Sequence, residues 1–242
     1  MVGGLIGITA LCGSLFWHFF LDNTEAGRNF QTVVIDAGHG GQDSGAVAFG
    51  LDEKSLNLDV ALKLAEVLRA QGIEVALTRD SDYFVSLGDR ARIANRQKNS
   101  IFVSIHFNHT GISTTGGVET YRAEFKSPGI AEDVLNFLRV ARPMASINLR
   151  EEALAQAVQM ELVSATGTTD RGIKRRNFYV IRRTASPALL IEGGFLSNPT
   201  TVRRLKTQGY REVIAAAIAR GILKYRAGWE PSPRLLASEP SP

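Results

Sequence analysis

Apolar runs typical of β-strands alternate with stretches of helical periodicity along most of this chain. The runs are short and rich in β-branched residues, which predicts strands at "QTVVIDAG", "IEVALTR", "SIFVSIH", "GGVETYR", "NFYVIRR" and "PALLIEGG". Between and after them, periodicity predicts helices over residues 53–71, 86–97, 151–166 and 200–225. This alternation predicts an α/β layer fold with a mostly parallel or mixed sheet flanked by helices.

Chain length and composition fit one globular domain. At 242 residues and 44% hydrophobic content the chain can bury a full core. The net charge of +4 favours an anionic neighbour, but no arginine-rich run with interleaved aromatics indicates a nucleic-acid partner. Cys12 is the only cysteine, which excludes disulfides and cysteine-based zinc sites. Any metal must therefore be held by His, Asp or Glu.

The two ends of the chain differ in character from the predicted domain at residues 31–226. Residues 1–21 form an uncharged apolar segment, long enough for a signal-peptide core or a membrane-spanning helix. A buried N-terminal helix is the alternative, but the polar linker at 22–30 favours export to the periplasm or cell envelope, by a cleaved signal or a retained membrane anchor. Residues 227–242 are rich in Pro and Ser, which predicts a disordered tail.

A long segment at about 122–150 separates a predicted strand from a predicted helix. Connections of this length in compact domains tend to be functional or mobile. Taken alone, the segment is more simply explained as a passive surface insertion.

Four chemistry-bearing residues are predicted to meet at one edge of the sheet. His39 follows the first strand, His106 ends another and Glu192 ends a third, while Glu53 begins the first helix. Sites in open α/β sheets form beyond the carboxyl ends of strands. Two imidazoles and one carboxylate, with an open fourth position, are the ligand set of a catalytic Zn²⁺.

This placement offers His39 and His106 as imidazole ligands, one carboxylate as the third ligand and a spare carboxylate as general base and later acid. Glu192 fits the role of the spare carboxylate by position, since Gly193 and Gly194 beside it leave room for a substrate. Each residue also has a structural interpretation of its own, such as a hydrogen-bonded histidine or a helix-terminus carboxylate. It is their joint placement that favours a metal site.

The glycines around His39 do not form a phosphate-binding loop. A dinucleotide fingerprint would need a third glycine where Asp43 stands, and no lysine follows as in a P-loop. His109 lies three residues after His106 and is at most part of the site wall.

Eight blocks of the sequence occur in this order: "VVIDAGHGGQDSGA", "DEKSLNLDVALKLAEVLRAQG", "VALTRDSD", "SLGDRARIAN", "SIFVSIHFNH", "GGVETY", "RGIKRRNFYVIR" and "PALLIEGGFLSNP". Together they resemble the zinc-dependent N-acetylmuramoyl-L-alanine amidases of bacterial cell-wall turnover. The resemblance runs from about Thr32 to Ile222. Asn108, within the block "SIFVSIHFNH", is a candidate substrate contact. The resemblance implies a six-stranded sheet, zinc held by His39, Glu53 and His106, and catalytic Glu192. It also implies hydrolysis of the amide between the lactyl group of N-acetylmuramic acid and L-alanine in peptidoglycan.

The sequence departs from the family in the 122–150 insertion, which is longer than in the simplest members. Some members cover the zinc with a helix in this region until an activator protein displaces it. By analogy "GIAEDVLNFL" is a candidate lid, with Glu132 or Asp133 reaching the metal. A zinc peptidase that cleaves within the stem peptide and a catalytically silent binding module remain as alternative functions.

Overall fold

The computed structural model describes residues 29–126 and 142–228, with side chains in the second stretch from residue 149 onward. Its elements in chain order are β1 (Thr32–Ala37), β2 (Val47–Ala48), β3 (Leu51–Asp52), α1 (Glu53–Ala70), β4 (Glu74–Leu77), α2 (Leu87–Arg96), β5 (Ser100–Asn108), β6 (Val118–Arg122), α3 (Arg142–Thr166), β7 (Asp170–Arg175), α4 (Tyr179–Arg183), β8 (Ala188–Phe195), α5 (Pro199–Leu205) and α6 (Gln208–Arg226). The predicted α/β class is confirmed.

A six-stranded mixed sheet in the order β4-β1-β5-β8-β6-β7 forms the centre of the fold. Strands β4, β1, β5 and β8 are parallel, β6 is antiparallel to β8, and β7 is parallel to β6. The carboxyl ends of β1, β5 and β8 therefore meet at one edge. The small hairpin of β2 and β3 leads directly into α1.

Successive residues of each strand face opposite sides of the sheet, and each side has its own core. Val33 and Ile35 of β1 pack in the larger core together with residues of α1, α3 and α6, whereas Val34 packs in a smaller core with residues of α2 and α4. Ser86 caps the start of α2, since its Oγ accepts a hydrogen bond from the backbone N–H of Asp89 at 3.1 Å.

One strand prediction was wrong. The run "NFYVIRR" forms the short helix α4, and the strand of this region is the preceding "DRGIKR", which forms β7. Val180 and Ile181 are adjacent and both buried in the smaller core, and a strand would have turned one of them away from that core. The polar residues of β7 suit a strand at the sheet edge, where only one side is paired.

Two helices differ from their predicted limits. Helix α3 begins at Arg142 rather than at residue 151, so the C-terminal part of the 122–150 insertion is helical. The closing helical region is divided in two, because Asn198 caps α5 and Thr207 caps α6. Among the helices of residues 29–126 and 142–228, none combines the length and the apolar character needed to cross a membrane.

Candidate metal centre and adjoining carboxylates

The structure brings His39, Glu53 and His106 together at the carboxyl edge of the sheet, and one possible ligand atom from each lies within 4.8 Å of the others. Glu53 Oε1 is 3.2 Å from His39 Nε2 and 2.9 Å from His106 Nδ1. Ligands of a tetrahedral zinc, each about 2.0–2.1 Å from the ion, are separated by roughly 3.3 Å. The three side chains therefore fit a metal ion of this kind.

Glycines make the close approach of these ligands possible. A Cβ on Gly38 would lie 2.2 Å from Cε1 of His106, and a Cβ on Gly45 would lie 2.6 Å from Oε2 of Glu53. His39 itself has a φ of 61°, a left-handed conformation that few non-glycine residues adopt. Backbone strain of this kind concentrates at functional sites.

Glu53 is buried and surrounded by donors. Its carboxylate accepts hydrogen bonds from the backbone N–H groups of Ala46 at 3.0 Å and Phe107 at 3.3 Å. Burial opposes ionisation, but hydrogen bonds and charge interactions with His106 and His39 outweigh it and hold the pKa of Glu53 well below its ordinary value. The residue is therefore an ionised carboxylate, as a metal ligand must be.

Asp43 orients the first histidine, a role that the sequence did not reveal. Its Oδ2 lies 2.8 Å from Nδ1 of His39, which turns Nε2 of that ring toward Glu53. A carboxylate on the far nitrogen of a metal-binding imidazole fixes both the tautomer and the ring orientation. The pKa of His39 is lowered by burial and raised more strongly by Glu53 and Asp43, and the net shift is upward.

Two buried arginines hold the backbone of the loop that carries His39. Arg79 donates to the carbonyl oxygens of Ala37 at 2.9 Å, Gly38 at 2.9 Å and Lys54 at 2.7 Å. It thereby joins the loop after β1 to the first turn of α1. Arg90 donates to the carbonyl oxygen of His39 at 2.6 Å. Both ligand-bearing segments are thus fixed by charged hydrogen bonds.

Glu192 lies beside the candidate metal ligands on the same face of the sheet, because it is the direct register partner of His106. Its Oε2 is shielded from solvent and has no hydrogen-bond partner among the described residues. Burial raises the pKa of Glu192 well above its ordinary value, and the charges of Glu53 and Glu119 raise it further. Among the described residues, no arginine forms an ion pair with Glu192.

Glu119 is a second buried carboxylate, on the other side of Glu192, and it was not singled out in the sequence. It pairs directly with Glu192 across β6 and β8. Its Oε1 accepts hydrogen bonds from Asn108 Nδ2 at 2.8 Å and Tyr121 Oη at 2.6 Å. Because an ionised carboxylate can only accept, the amide of Asn108 directs its nitrogen rather than its Oδ1 at Glu119.

The remaining predicted residues lie elsewhere. His109 is exposed and does not belong to the metal cluster. The proposed lid carboxylates Glu132 and Asp133 lie outside the described residues, as does the predicted signal or anchor segment.

Comparison with known proteins agrees with this geometry. Residues 33–224 match the family model described as N-acetylmuramoyl-L-alanine amidase. Two relatives come from Bacillus subtilis (strain 168). YqiI, an uncharacterized protein, is 37% identical over 195 residues, covering 81% of this chain and 84% of YqiI. The amidase LytC is 34% identical over 195 residues, covering 81% of this chain and 35% of LytC.

Solved structures of amidases share the fold. The catalytic domain of CwlV from Bacillus (Paenibacillus) polymyxa var. colistinus is 38% identical with a TM-score of 0.68, covering 81% of this chain and 98% of that domain. CwlD from Clostridioides difficile, solved in complex with the GerS lipoprotein, is 30% identical with a TM-score of 0.70, covering 82% and 99%. The family match favours an amidase over the two alternative functions. The chain belongs to the N-acetylmuramoyl-L-alanine amidase family of peptidoglycan hydrolases.

Proposed function

We propose that this chain hydrolyses the amide between the lactyl group of N-acetylmuramic acid and L-alanine of the stem peptide, in cell-wall remodelling or daughter-cell separation. The reaction requires zinc held by His39, Glu53 and His106. The observation that carries the proposal is the convergence of these three ligands beside Glu192 at one sheet edge, in a member of the amidase family.

The donor set supports zinc as the ion. Two imidazole nitrogens and one carboxylate oxygen leave a fourth tetrahedral position for substrate or water, as in catalytic zinc sites. When bound, zinc makes hydroxide available near neutral pH and polarises the scissile carbonyl.

Glu192 is the proton-transfer residue of the proposed reaction. It accepts a proton from the attacking water, whose oxygen bonds to the carbonyl carbon of the lactyl group. It then donates that proton to the nitrogen of L-alanine as the carbon–nitrogen bond breaks. The products are a lactyl carboxylate and a free amino terminus on L-alanine. Asn108 Oδ1 would accept a hydrogen bond from a substrate N–H group.

Zinc content and turnover of purified peptidoglycan, measured on the same preparations of the full-length chain, test this proposal. We expect one zinc per chain in the parent and release of L-alanine amino termini from intact glycan strands. Glu192→Ala and Glu192→Gln should keep the zinc and lose turnover. The control Glu66→Gln removes an exposed carboxylate of α1 and should change neither quantity.

Each other result has a definite meaning. Loss of zinc in the Glu192 variants would make this residue a ligand rather than a base. Absence of zinc from the parent would contradict the metal site. Cleavage within the stem peptide, which exposes amino termini other than that of L-alanine, would favour the zinc peptidase.

We further propose that the enzyme acts outside the cytoplasm, with residues 1–21 as the export signal or membrane anchor. Relatives described as probable cell wall amidases, such as LytH of Staphylococcus epidermidis, support the location. Fractionation of cells that express the chain with and without residues 1–21 tests it. Recovery of both forms in the same fraction would contradict the role of this segment.

We also propose that an activator protein displaces the 122–150 insertion from the metal site. The existence of a complex between CwlD and the GerS lipoprotein supports this proposal. Replacing residues 127–141 by a short Gly-Ser linker retains Lys126, whose ammonium is buried against Glu151. Basal turnover should rise if Glu132 or Asp133 covers the metal. Unchanged or lower turnover, with unaltered thermal unfolding, would favour a passive insertion.

A further inference from the structure

The edge strand β7 contains a bulge beside the proposed active site. From Val118 to Thr120, β6 advances by two residues, whereas its partner β7 advances by three, from Asp170 to Ile173. Within this stretch Gly172 has a φ of 76°. Residues three apart in a regular strand point to opposite faces of the sheet. The extra residue instead lets Arg171 and Lys174 both reach the same carboxylate.

That carboxylate, Glu119, anchors the two cations. Its Oε2 accepts hydrogen bonds from Arg171 Nε at 3.0 Å and from Lys174 Nζ. The guanidinium of Arg171 lies 5.0 Å from the centre of the Phe195 ring, and the ammonium of Lys174 lies 5.7 Å from that of Tyr121. Two cations share one carboxylate, so this cluster carries a net positive charge.

Both cations keep unused donors. Among the described residues, no group accepts a hydrogen bond from the two terminal NH₂ groups of Arg171 or from the other N–H bonds of Lys174. Each side chain is 34% exposed. Because Glu119 already holds both side chains in place, an anion that binds their remaining N–H groups costs little further conformational entropy. A guanidinium beside an ammonium is suited to a carboxylate.

The cluster lies at a distance from the metal ligands that a short peptide can span. His106, Glu192 and Glu119 are consecutive neighbours across β5, β8 and β6. Two strand spacings correspond to roughly 10 Å. An extended peptide covers about 3.3–3.6 Å per residue, so the first two or three residues of a stem peptide reach this distance.

We propose that Arg171 and Lys174 form a subsite for a carboxylate of the stem peptide, near the second residue after the scissile amide. This inference rests on the proposed function. Only the peptide side of the scissile amide brings carboxylates, because the lactyl carboxyl group of the glycan is consumed in that amide. The subsite therefore assigns the peptide side of the cleft to β7 and the glycan to the opposite side.

Two substrates that differ at one group test the subsite, and the γ-carboxyl group of the second residue is amidated in both. The first is N-acetylmuramoyl-L-alanyl-D-isoglutamine γ-amide (the isoglutamine substrate), which has no free carboxylate, and the second (the acid) carries a free α-carboxylate in place of the α-carboxamide. With the zinc-loaded full-length parent, KM should be lower for the acid. In Arg171→Gln, KM for the acid should rise about tenfold with kcat little changed, because a charge-assisted hydrogen bond is lost. KM for the isoglutamine substrate should change less than about twofold. Lys174→Met should behave in the same way.

Arg175→Gln is the matched control. It removes one positive charge from the same strand, but Arg175 faces the other side of the sheet, where it lines a cavity with Arg122 and Glu152. KM should remain as in the parent for both substrates. Arg171→Lys should recover part of the selectivity, and thermal unfolding of every variant verifies that the fold is intact.

Three outcomes would overturn the inference. Equal KM values of the parent for the acid and the isoglutamine substrate would exclude a carboxylate subsite. A parallel loss of kcat on both substrates in Arg171→Gln would mean that the cations only neutralise Glu119. A parent that cleaves neither substrate would contradict the proposed function and the subsite together, whereas cleavage without selectivity contradicts the subsite alone.

Discussion

Asp36 is the carboxylate on which the buried polar network beneath the metal site depends. Its side chain is almost completely buried and accepts three hydrogen bonds of 2.7 Å, from Thr78 Oγ1, Ser104 Oγ and Arg90 Nη1. Arg90 is equally buried, and Asp36 is the carboxylate that pairs with it. Asp36→Asn keeps the shape of the side chain and removes its charge, so it leaves Arg90 as an uncompensated buried cation.

The expected loss of stability is large. Breaking a buried ion pair by removing one partner costs about 3–5 kcal/mol. We expect a loss at the lower end of this range, because Arg90 retains its hydrogen bonds to the carbonyl oxygens of Ala37 and His39. With an urea m-value of about 2 kcal/mol/M, a loss of about 3 kcal/mol lowers the unfolding midpoint by roughly 1.5 M. Thr78→Val removes a single neutral donor and should cost about 1 kcal/mol.

A double-mutant cycle isolates the charge pair. Arg90→Met combined with Asp36→Asn should cost less than the sum of the two single changes, because the double variant contains no unpaired charge. Urea unfolding followed by far-UV circular dichroism gives all four free energies. A loss below about 1 kcal/mol in Asp36→Asn, or strict additivity in the cycle, would refute this reasoning.

The contribution of Asp36 to the free energy of unfolding decreases at acidic pH. Burial raises the pKa of Asp36, but Arg90, Thr78 and Ser104 together outweigh burial and place it below the ordinary value of 3.8. The ionised side chain therefore stabilises the fold fully above pH 3.8, and this contribution is lost as the pH falls through the lower folded-state pKa. The parent should lose this stability below pH 3.8, and Asp36→Asn should show a shallower decline there.

Three further substitutions test other contacts. Gly38→Ala places a methyl group on the ring of His106 and should abolish metal binding, measured as zinc per chain after dialysis; a full complement of zinc would contradict the steric argument. Asp43→Asn should weaken metal affinity about 10–100-fold in a chelator competition, since the imidazole loses its orienting carboxylate; unchanged affinity would refute this role. Lys126→Met should destabilise the fold by about 3–5 kcal/mol in urea, and Glu151→Gln in the same chain should restore part of the loss; additive losses would argue against the pair.

The strands that carry the site could be predicted because burial on both faces gives continuous apolar runs. β1, β5 and β8 have this pattern, and the residues that follow such runs are expected at the carboxyl edge. The convergence of His39, Glu53, His106 and Glu192 at one edge followed from that argument. Local sequence was sufficient there because topology alone brings parallel strand ends together.

Other features depend on contacts between distant residues, and the sequence did not reveal them. β7 is polar and its bulge is defined only by its pairing with β6, so no periodicity indicated it. Helix α4 contains β-branched residues, but packing of Val180 and Ile181 on the smaller core decides its conformation. Glu119 had one available signal, a carboxylate between the β-branched residues Val118 and Thr120 of a predicted strand.

The mixed topology of the sheet gives the active site its two unequal sides. On one side of Glu192, the parallel neighbour β5 supplies His106, one of the three candidate metal ligands. On the other side, antiparallel β6 supplies Glu119 and, through it, the cations of β7. A shift of β6 by one residue against β8 would turn Glu119 to the opposite face and replace it with an apolar or hydroxyl side chain. The register of β6 against β8 is therefore as necessary to the carboxylate subsite as the residues themselves.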